Sequence, residues 1–244
     1  MESEKLLRFL DNQLKISFYD DSSVNGLQIQ VKKYINKICF SVDADLFSIE
    51  EAIKKKADLL IVHHGILWKE NKPITDSLYE KVKLLVTNNI GLYAIHLPLD
   101  VHEEFGNNIQ LVKLLGMSNV RKFGLINNIY IGYTGEINMN IEKLFLIVKE
   151  KINKSARLFK FGKDFVKTLA VVSGSGNNLL TDVDCFLTGE LNYHNLLLAK
   201  EKGINIIIAG HYSTERFGLI SLMKKISNLF NVECEFIDRG EDFV

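Results

Sequence analysis

The segment Ala57–Gly65, ADLLIVHHG, constrains the fold of this chain more than any other stretch. Its run of aliphatic residues is typical of a strand buried on both faces, as in a parallel sheet covered by helices. The run ends in two histidines, His63 and His64, followed by glycine. Because open α/β sheets bind their ligands at the carboxyl ends of the strands, the segment predicts a ligand site that begins at these imidazoles.

Strand-like and helix-like segments alternate along the rest of the chain, which predicts an α/β fold with mostly parallel strands. Ile38–Val42 has the pattern of a strand, and Phe47–Lys56 has that of a helix leading into the histidine segment. Together the three segments form one βαβ unit, whose two strands should be parallel.

A second unit of the same kind follows later in the chain. At the offset of 147 positions that separates His64 from His211, residues 38–64 align with residues 185–211 without a gap, and Asp43 falls on Glu190. The alignment favours an internal duplication, although two unrelated βαβ units can match by chance. We therefore expect two similar α/β halves, residues 1–125 and 126–244, with a metal site between them.

Composition narrows the class of protein. The 244 residues include 30 basic and 30 acidic side chains, so no net charge favours nucleic acid, which is an unlikely partner. The three cysteines, an odd number, lie in apolar contexts and indicate reduced thiols. No apolar run has the length of a membrane span. We expect a cytoplasmic protein.

Carboxylates and a further histidine follow other strands. Asp100 comes after a predicted strand and Pro98, and His211 ends the apolar run INIIIAG. Ser213 is a plausible N-cap, which places Glu215 in the first turn of the next helix. Each residue also has a structural interpretation: a buried hydrogen-bonded histidine, a turn residue, or a carboxylate at a helix end.

The combination is more specific than its parts. Imidazole with carboxylate suits Zn²⁺, Mn²⁺, Fe²⁺, Co²⁺ or Ni²⁺, and the lack of thiolates argues against a closed structural zinc site. Five ligands exceed what one catalytic ion with open positions needs, whereas two divalent ions bridged by a carboxylate would use all of them. The predicted ligands are His63, His64, Asp100, His211 and Glu215.

Other residues are secondary candidates. Glu190 is a candidate general base, and His96 is a candidate catalytic residue. His96 and His102 flank Asp100 and could also support the ligands or contact a substrate. The loop 173–177, SGSGN, lacks the Lys-Ser/Thr ending of a P-loop and is more simply a glycine turn. Three aromatic residues could either line a cavity and stack on a base or pack in the core: Trp68, Phe105 and Tyr212.

Six segments together resemble the NIF-three-like family, whose bacterial members are called GTP cyclohydrolase 1 type 2 homologues. They are VNGLQIQ (24–30), ADLLIVHHGILW (57–68), HLPLDVHEEFGNN (96–108), SGSGN (173–177), TGELNYH (188–194) and GHYSTE (210–215). The resemblance implies two similar, interwoven αβα sandwich halves and a toroidal homohexamer. It also implies the same five ligands, with Glu215 bridging two ions. This chain has Tyr193-His194 where the family usually has paired histidines.

The expected function is that of a dinuclear-metal-dependent hydrolase. The family name points to a purine nucleotide as substrate, and a phosphoester is equally compatible with the chemistry. The alternative is a non-enzymatic, metal-binding oligomeric adaptor that acts through partner recognition. Fold and metal ligands alone do not decide between them.

Overall fold

The computed structural model describes residues 1–70 and 73–240, which form two compact units. Unit 1 comprises Met1–Phe105 and Gly218–Gly240, and the described part of unit 2 is Gly106–Phe217. The predicted halves, 1–125 and 126–244, follow chain order, whereas here the chain leaves unit 1 after residue 105 and returns to it at residue 218.

Unit 1 is built around a five-stranded sheet with the order β1-β4-β3-β2-β11. β1 is antiparallel to β4, and the other neighbours are parallel, as the βαβ pattern predicts. Its elements are α1 (Ser3–Leu14), a 3₁₀ turn (Ile16–Phe18), β1 (Gly26–Ile29), β2 (Lys37–Asp43), α2 (Leu46–Lys54), β3 (Leu59–His64), α3 (Asp76–Thr87), β4 (Gly91–Ala94), α4 (Leu97–Asp100) and β11 (Glu233–Phe236).

Unit 2 contains a six-stranded sheet with the order β5-β6-β8-β9-β10-β7, in which β8, β9 and β10 are parallel. Its elements are α5 (Asn107–Leu115), β5 (Ser118–Ile126), β6 (Ile129–Asn140), α6 (Ile141–Lys151), β7 (Arg157–Phe159), β8 (Phe165–Ser175), β9 (Cys185–Glu190), α7 (Tyr193–Lys202) and β10 (Asn205–Ile208). The helix α8 (His211–Phe230) contains the unit boundary.

Both sheets are buried on two faces. In β8, Leu169 and Val171 pack in one apolar cluster while Ala170 and Val172 pack in another, because successive strand residues point to opposite faces. In β3 every residue from Leu59 to His63 is inaccessible to solvent. These layers confirm the predicted α/β fold with two mixed sheets.

The two βαβ units predicted to be related have matching local structure. Asp45 caps α2 by accepting a hydrogen bond from the Ser48 amide at 2.8 Å. Asn192 caps α7 in the same way, accepting from the Asn195 amide at 2.9 Å. The two capping residues are 147 positions apart, and so are the two amides that donate to them. The N-termini of α2 and α7 are therefore capped in the same way at aligned positions of the two βαβ units.

Two parts of the sequence interpretation need correction. No strand is predicted over residues 118–126, where the structure has β5, because most of these side chains are exposed and lack the apolar alternation that identifies a strand. Ser213 is not the N-cap of α8, since the helix begins two residues earlier at His211. Gly210, with φ of +92°, turns the chain sharply after β10 and allows this early start.

In the described residues 1–70 and 73–240, no helix combines the length and apolar character needed to cross a membrane.

Candidate metal site

Three imidazoles converge at the carboxyl ends of β3 and β4 in unit 1. His63 and His64 end β3, and His96 follows β4 by two residues. β3 and β4 are parallel, so their carboxyl ends meet at one edge of the sheet. One ring nitrogen from each histidine lies within 4.8 Å of the other two. The structure therefore brings His96 into the same cluster as the two predicted ligands.

Each imidazole is oriented by an acceptor at Nδ1. His63 donates to the Ile95 carbonyl at 2.8 Å, and His64 donates to Asp43 at 2.8 Å. His96 donates to Asp21 at 2.9 Å. Because carbonyl and carboxylate oxygens only accept, Nδ1 carries the proton in all three rings. A ring protonated at Nδ1 alone presents the Nε2 lone pair, which is the form that binds a metal ion.

Asp21 is a buried carboxylate that accepts hydrogen bonds from His96 and from three other donors. Besides the His96 ring it accepts from the Leu97 amide at 3.0 Å, the Ser23 amide at 3.2 Å and the Asn25 side chain at 2.8 Å. Burial alone raises the pKa of Asp21, but the His96 hydrogen bond and charge, with the other donors, hold it well below its usual range. Asp21 is therefore an anion that fixes His96.

Asp100 lies beside the cluster on the short helix α4. Its Oδ2 atom is 3.5 Å from Nε2 of the fully buried His63, which places the predicted carboxylate ligand next to a predicted imidazole ligand.

His102 is not part of the imidazole cluster. Its Nδ1 accepts from the backbone amides of Glu104 and Phe105, and its ring stacks on Phe105 at 3.7 Å. His102 thus has a local structural role.

In unit 2, His211 and Glu215 form a second histidine–carboxylate pair. Both lie on α8 four residues apart and therefore on one face of the helix, with His211 Nε2 3.2 Å from Glu215 Oε1. Glu190 approaches the other ring nitrogen, Nδ1, at 3.4 Å. Burial lowers the pKa of His211, but the hydrogen bonds and charges of Glu215 and Glu190 outweigh it and raise this pKa to about 9.

The segment 173–177, whose first three residues end β8, packs against this pair. Gly174 has φ of +60°, and a β-carbon on it would lie 2.0 Å from Glu215 Oε1 and 3.2 Å from His211 Nε2. The Gly174 amide donates to the Thr214 hydroxyl at 2.9 Å, and its carbonyl accepts from Thr188 at 3.2 Å. The segment that the sequence favours as a simple glycine turn thus packs directly against Glu215.

The two βαβ units repeat one carboxylate–histidine relationship. Asp43 at the end of β2 contacts Nδ1 of His64, and Glu190 at the end of β9 contacts Nδ1 of His211. These are the residues that the offset of 147 positions pairs in sequence. Glu190 as a general base stays a prediction, and its place matches that of a carboxylate that orients an imidazole.

Three supporting residues escaped the sequence interpretation. Asp21 and Asn25 hold His96, and Gln28 accepts from the amides of Ile66 and Leu67 just after the histidine pair. Gln28 also fills the space where a β-carbon on Gly65 would lie 2.4 Å away. Asn25 and Gln28 lie in the VNGLQIQ segment, and this motif is the sequence feature that could have indicated their roles.

Comparison with known proteins identifies the family. The model of the family described as Duf34/NIF3 (NGG1p interacting factor 3) matches residues 1–242. The chain belongs to the Duf34/NIF3 family. This confirms the resemblance seen in the six sequence segments.

Relatives of this Duf34/NIF3 chain are similar over nearly their whole length. The "GTP cyclohydrolase 1 type 2 homolog" of Pyrococcus abyssi is 39% identical and covers 98% of each chain. The structure of TTHA1606 from Thermus thermophilus superimposes with a TM-score of 0.91 at 34% identity, covering 98% of each chain. Reduced HcgD from Methanocaldococcus jannaschii gives a TM-score of 0.86 at 29% identity, again covering 98% of each chain.

Proposed function

We propose that this protein is a dinuclear-metal-dependent hydrolase. In this proposal His63, His64 and Asp100 of unit 1 act together with His211 and Glu215 of unit 2 to hold two divalent ions. The observation that carries it is the fixed orientation of the unit 1 imidazoles, whose Nδ1 protons are all donated to acceptors. Such acceptors are the usual partners of metal-binding histidines.

The chemistry of the donors fits a catalytic ion of the zinc, manganese, iron, cobalt or nickel type. The residues offer imidazole nitrogen and carboxylate oxygen, which these ions accept. Cys39 and Cys185 lie in the cores of the two units, and burial raises the pKa of Cys39 to about 11. Cys39 is therefore a protonated thiol at neutral pH and does not compete as a ligand.

Bound divalent ions would supply a more acidic water and a positive charge that stabilises attacking and leaving oxygens. The chain itself supplies proton transfer. His96 is held by the anionic Asp21 and presents its Nε2 lone pair beside His63 and His64. A neutral imidazole in that position accepts a proton during bond cleavage and returns it to the leaving group.

The name shared by the relatives suggests the substrate class. Several carry the name GTP cyclohydrolase 1 type 2 homolog at 33–39% identity. A purine nucleotide is the first candidate, and a phosphoester is the second. Imidazole and carboxylate ligands serve hydrolysis of either, because both reactions develop negative charge on oxygen.

The test begins with metal analysis of protein purified with each candidate ion, followed by a screen of nucleotides and phosphoesters. We expect about two ions per chain and turnover of at least one substrate. Asp100→Ala should lower turnover by about 100-fold or more while the metal-free fold survives. Asp182→Ala is the control, because its carboxylate is 91% exposed and pairs only with Lys202 among the described residues.

Fewer than about one ion per metal-replete chain would overturn the dinuclear proposal. Ions that bind without any turnover, but whose removal dissociates an oligomer, would favour the adaptor function instead. Size-exclusion chromatography with and without chelator separates these outcomes.

A further inference from the structure

Trp68 is an exposed indole held by a rigid backbone. It is the single tryptophan of the chain, and 38% of its surface is accessible. The backbone around it is fixed to residues 22–24: Val24 donates to the Leu67 carbonyl at 3.2 Å and Lys69 donates to the Ser22 carbonyl at 2.8 Å. A large apolar side chain that is both exposed and fixed is suited to binding a partner or ligand.

The other two aromatic candidates do not share this exposure. Phe105 is 1% exposed and stacks on His102, and Tyr212 is 8% exposed. Both are packing residues. Of the three aromatics singled out in the sequence, Trp68 alone presents its ring to a ligand.

A cavity of about 370 Å³ adjoins the indole within unit 1. The described residues that line it are Ser22, Trp68, Lys69 and Glu70. This volume lies within the range of small-molecule sites, ~300–1,000 Å³. The Trp68 ring also contacts the imidazole cluster, with its centroid 5.3 Å from that of His96 in a T-shaped arrangement and 6.4 Å from that of His64. The indole therefore lines the cavity and touches the candidate metal site.

The polar groups of the lining indicate the class of ligand. Of the four residues, the cation is Lys69, and its ammonium pairs with the Asp20 carboxylate. Because this ammonium is already paired with Asp20, the described part of the lining offers a phosphate group no unpaired cation. A carboxylate and the Ser22 hydroxyl instead suit N–H donors on the edge of a flat ring.

We propose that this cavity binds a planar nitrogen heterocycle of the nucleobase type, stacked on Trp68, with its N–H edge toward the polar lining. This proposal rests on the proposed function in one respect. If the ring belongs to the substrate of the hydrolase, the rest of that substrate, including any phosphate, would extend toward the imidazole cluster. Trp68 is then a specificity-determining residue, because stacking accepts any aromatic ring and rejects a ligand without one.

The single tryptophan gives a direct assay. Indole fluorescence of the metal-loaded protein is titrated with guanosine, adenosine and, as a control without an aromatic ring, ribose. The signal is corrected against free tryptophan for absorbance. We expect saturable quenching by the nucleosides and none by ribose. No saturable quenching by either nucleoside would overturn the proposal.

Variants then measure the contribution of the ring by calorimetry. Trp68→Leu should weaken nucleoside binding about 10- to 100-fold, and Trp68→Phe should recover most of it. Tyr79→Leu is the matched control, an aromatic residue of unit 1 that is 49% exposed and absent from the cavity lining. Equal nucleoside affinity in Trp68→Leu and the parent protein would also overturn the proposal.

Metal content distinguishes this inference from the proposed function. Trp68→Leu should bind as many ions as the parent, because the indole supplies no ligand atom. Nucleoside binding with no bound metal would refute the hydrolase while leaving the stacking site intact. Metal binding and turnover with unchanged affinity in Trp68→Leu would refute the stacking site alone.

Discussion

Gly174 leaves no room for a side chain beside Glu215, because a β-carbon at that position would lie 2.0 Å from Glu215 Oε1. We therefore expect Gly174→Ala to displace the Glu215 carboxylate and reduce the number of bound ions. The variant should also lose stability, since alanine at φ of +60° costs roughly 1 kcal/mol before any clash. Metal analysis and urea denaturation of the metal-free protein measure the two effects.

Gly116→Ala is a matched control for this change. Gly116 ends α5 with φ of +69°, and a β-carbon on it meets no atom within 4 Å. Gly116→Ala has the same unfavourable backbone conformation as Gly174→Ala but no steric clash. We therefore expect it to lose a similar roughly 1 kcal/mol of folding stability and to bind as many ions as the parent protein. If both variants bind metal equally well, Gly174 does not support Glu215.

The carboxylates that contact Nδ1 of His64 and His211 should control metal affinity. Asp43→Ala and Glu190→Ala are each expected to weaken binding about 10- to 100-fold, the usual effect of removing a partner of a metal-binding histidine. Asp43→Asn keeps an acceptor oxygen and should lose less. Chelator competition gives the affinities, with Asp182→Ala as the surface control. Unchanged affinity in both alanine variants would contradict the orienting role.

His96 should affect the rate more than the binding of metal. His96→Ala removes the ring that Asp21 orients but leaves the five proposed ligands in place. We expect turnover of the substrate found in the screen to fall about 100- to 10,000-fold, as for a lost general acid or base. Metal content and kcat are the measurements. A variant that loses its ions together with its activity would show His96 to be a ligand.

Asp58 should make the fold sensitive to acid. It accepts from the amides of Asn36 and Lys37 and pairs with Lys32 at 2.5 Å. Burial raises its pKa, but the Lys32 hydrogen bond and the two amides outweigh this and lower the pKa below the usual value. A lowered folded-state pKa stabilises the fold above the unfolded-state pKa of about 4, and this contribution is lost as the pH falls through the folded-state pKa.

Asp58→Asn tests this without removing the acceptor. In the other βαβ unit the aligned residue is Asn205, whose side-chain oxygen accepts from the amides of Phe161 and Gly162. Asparagine should therefore keep the amide contacts and lose the ion pair, at a cost of about 1 kcal/mol at neutral pH. Urea denaturation at neutral pH and near pH 3 should show the difference from the parent shrinking in acid. A constant difference would contradict the ionic contribution.

Local patterns predicted most elements, because apolar periodicity and turn residues act over short stretches of chain. Leu6, Leu10 and Leu14 lie on the buried stripe of α1, as their spacing indicates. The early start of α8 was missed because it depends on the positive φ of Gly210, whereas a serine two residues later has the typical sequence of a cap.

The residues that orient the imidazoles were harder to find. Asp21 reaches His96 across 75 positions and lies in a segment that reads as a surface turn. Hydrogen bonds between such distant residues leave no periodic signal in a single sequence. Asp43 is an exception, since its alignment with Glu190 in the repeated unit singles it out in the sequence, and the structure places it against His64.

The path of the chain has a consequence for folding during synthesis. The strand β11, Glu233–Phe236, pairs with β2, Lys37–Asp43, and forms one edge of the unit 1 sheet. The ribosome makes β2 nearly 200 residues earlier than β11. The amides and carbonyls of β2 that face β11 therefore lack their final partners while unit 2 is synthesised. An unpaired strand edge invites pairing with other chains. Until β11 is made, nascent unit 1 therefore has an open strand edge at β2 that can pair with another chain.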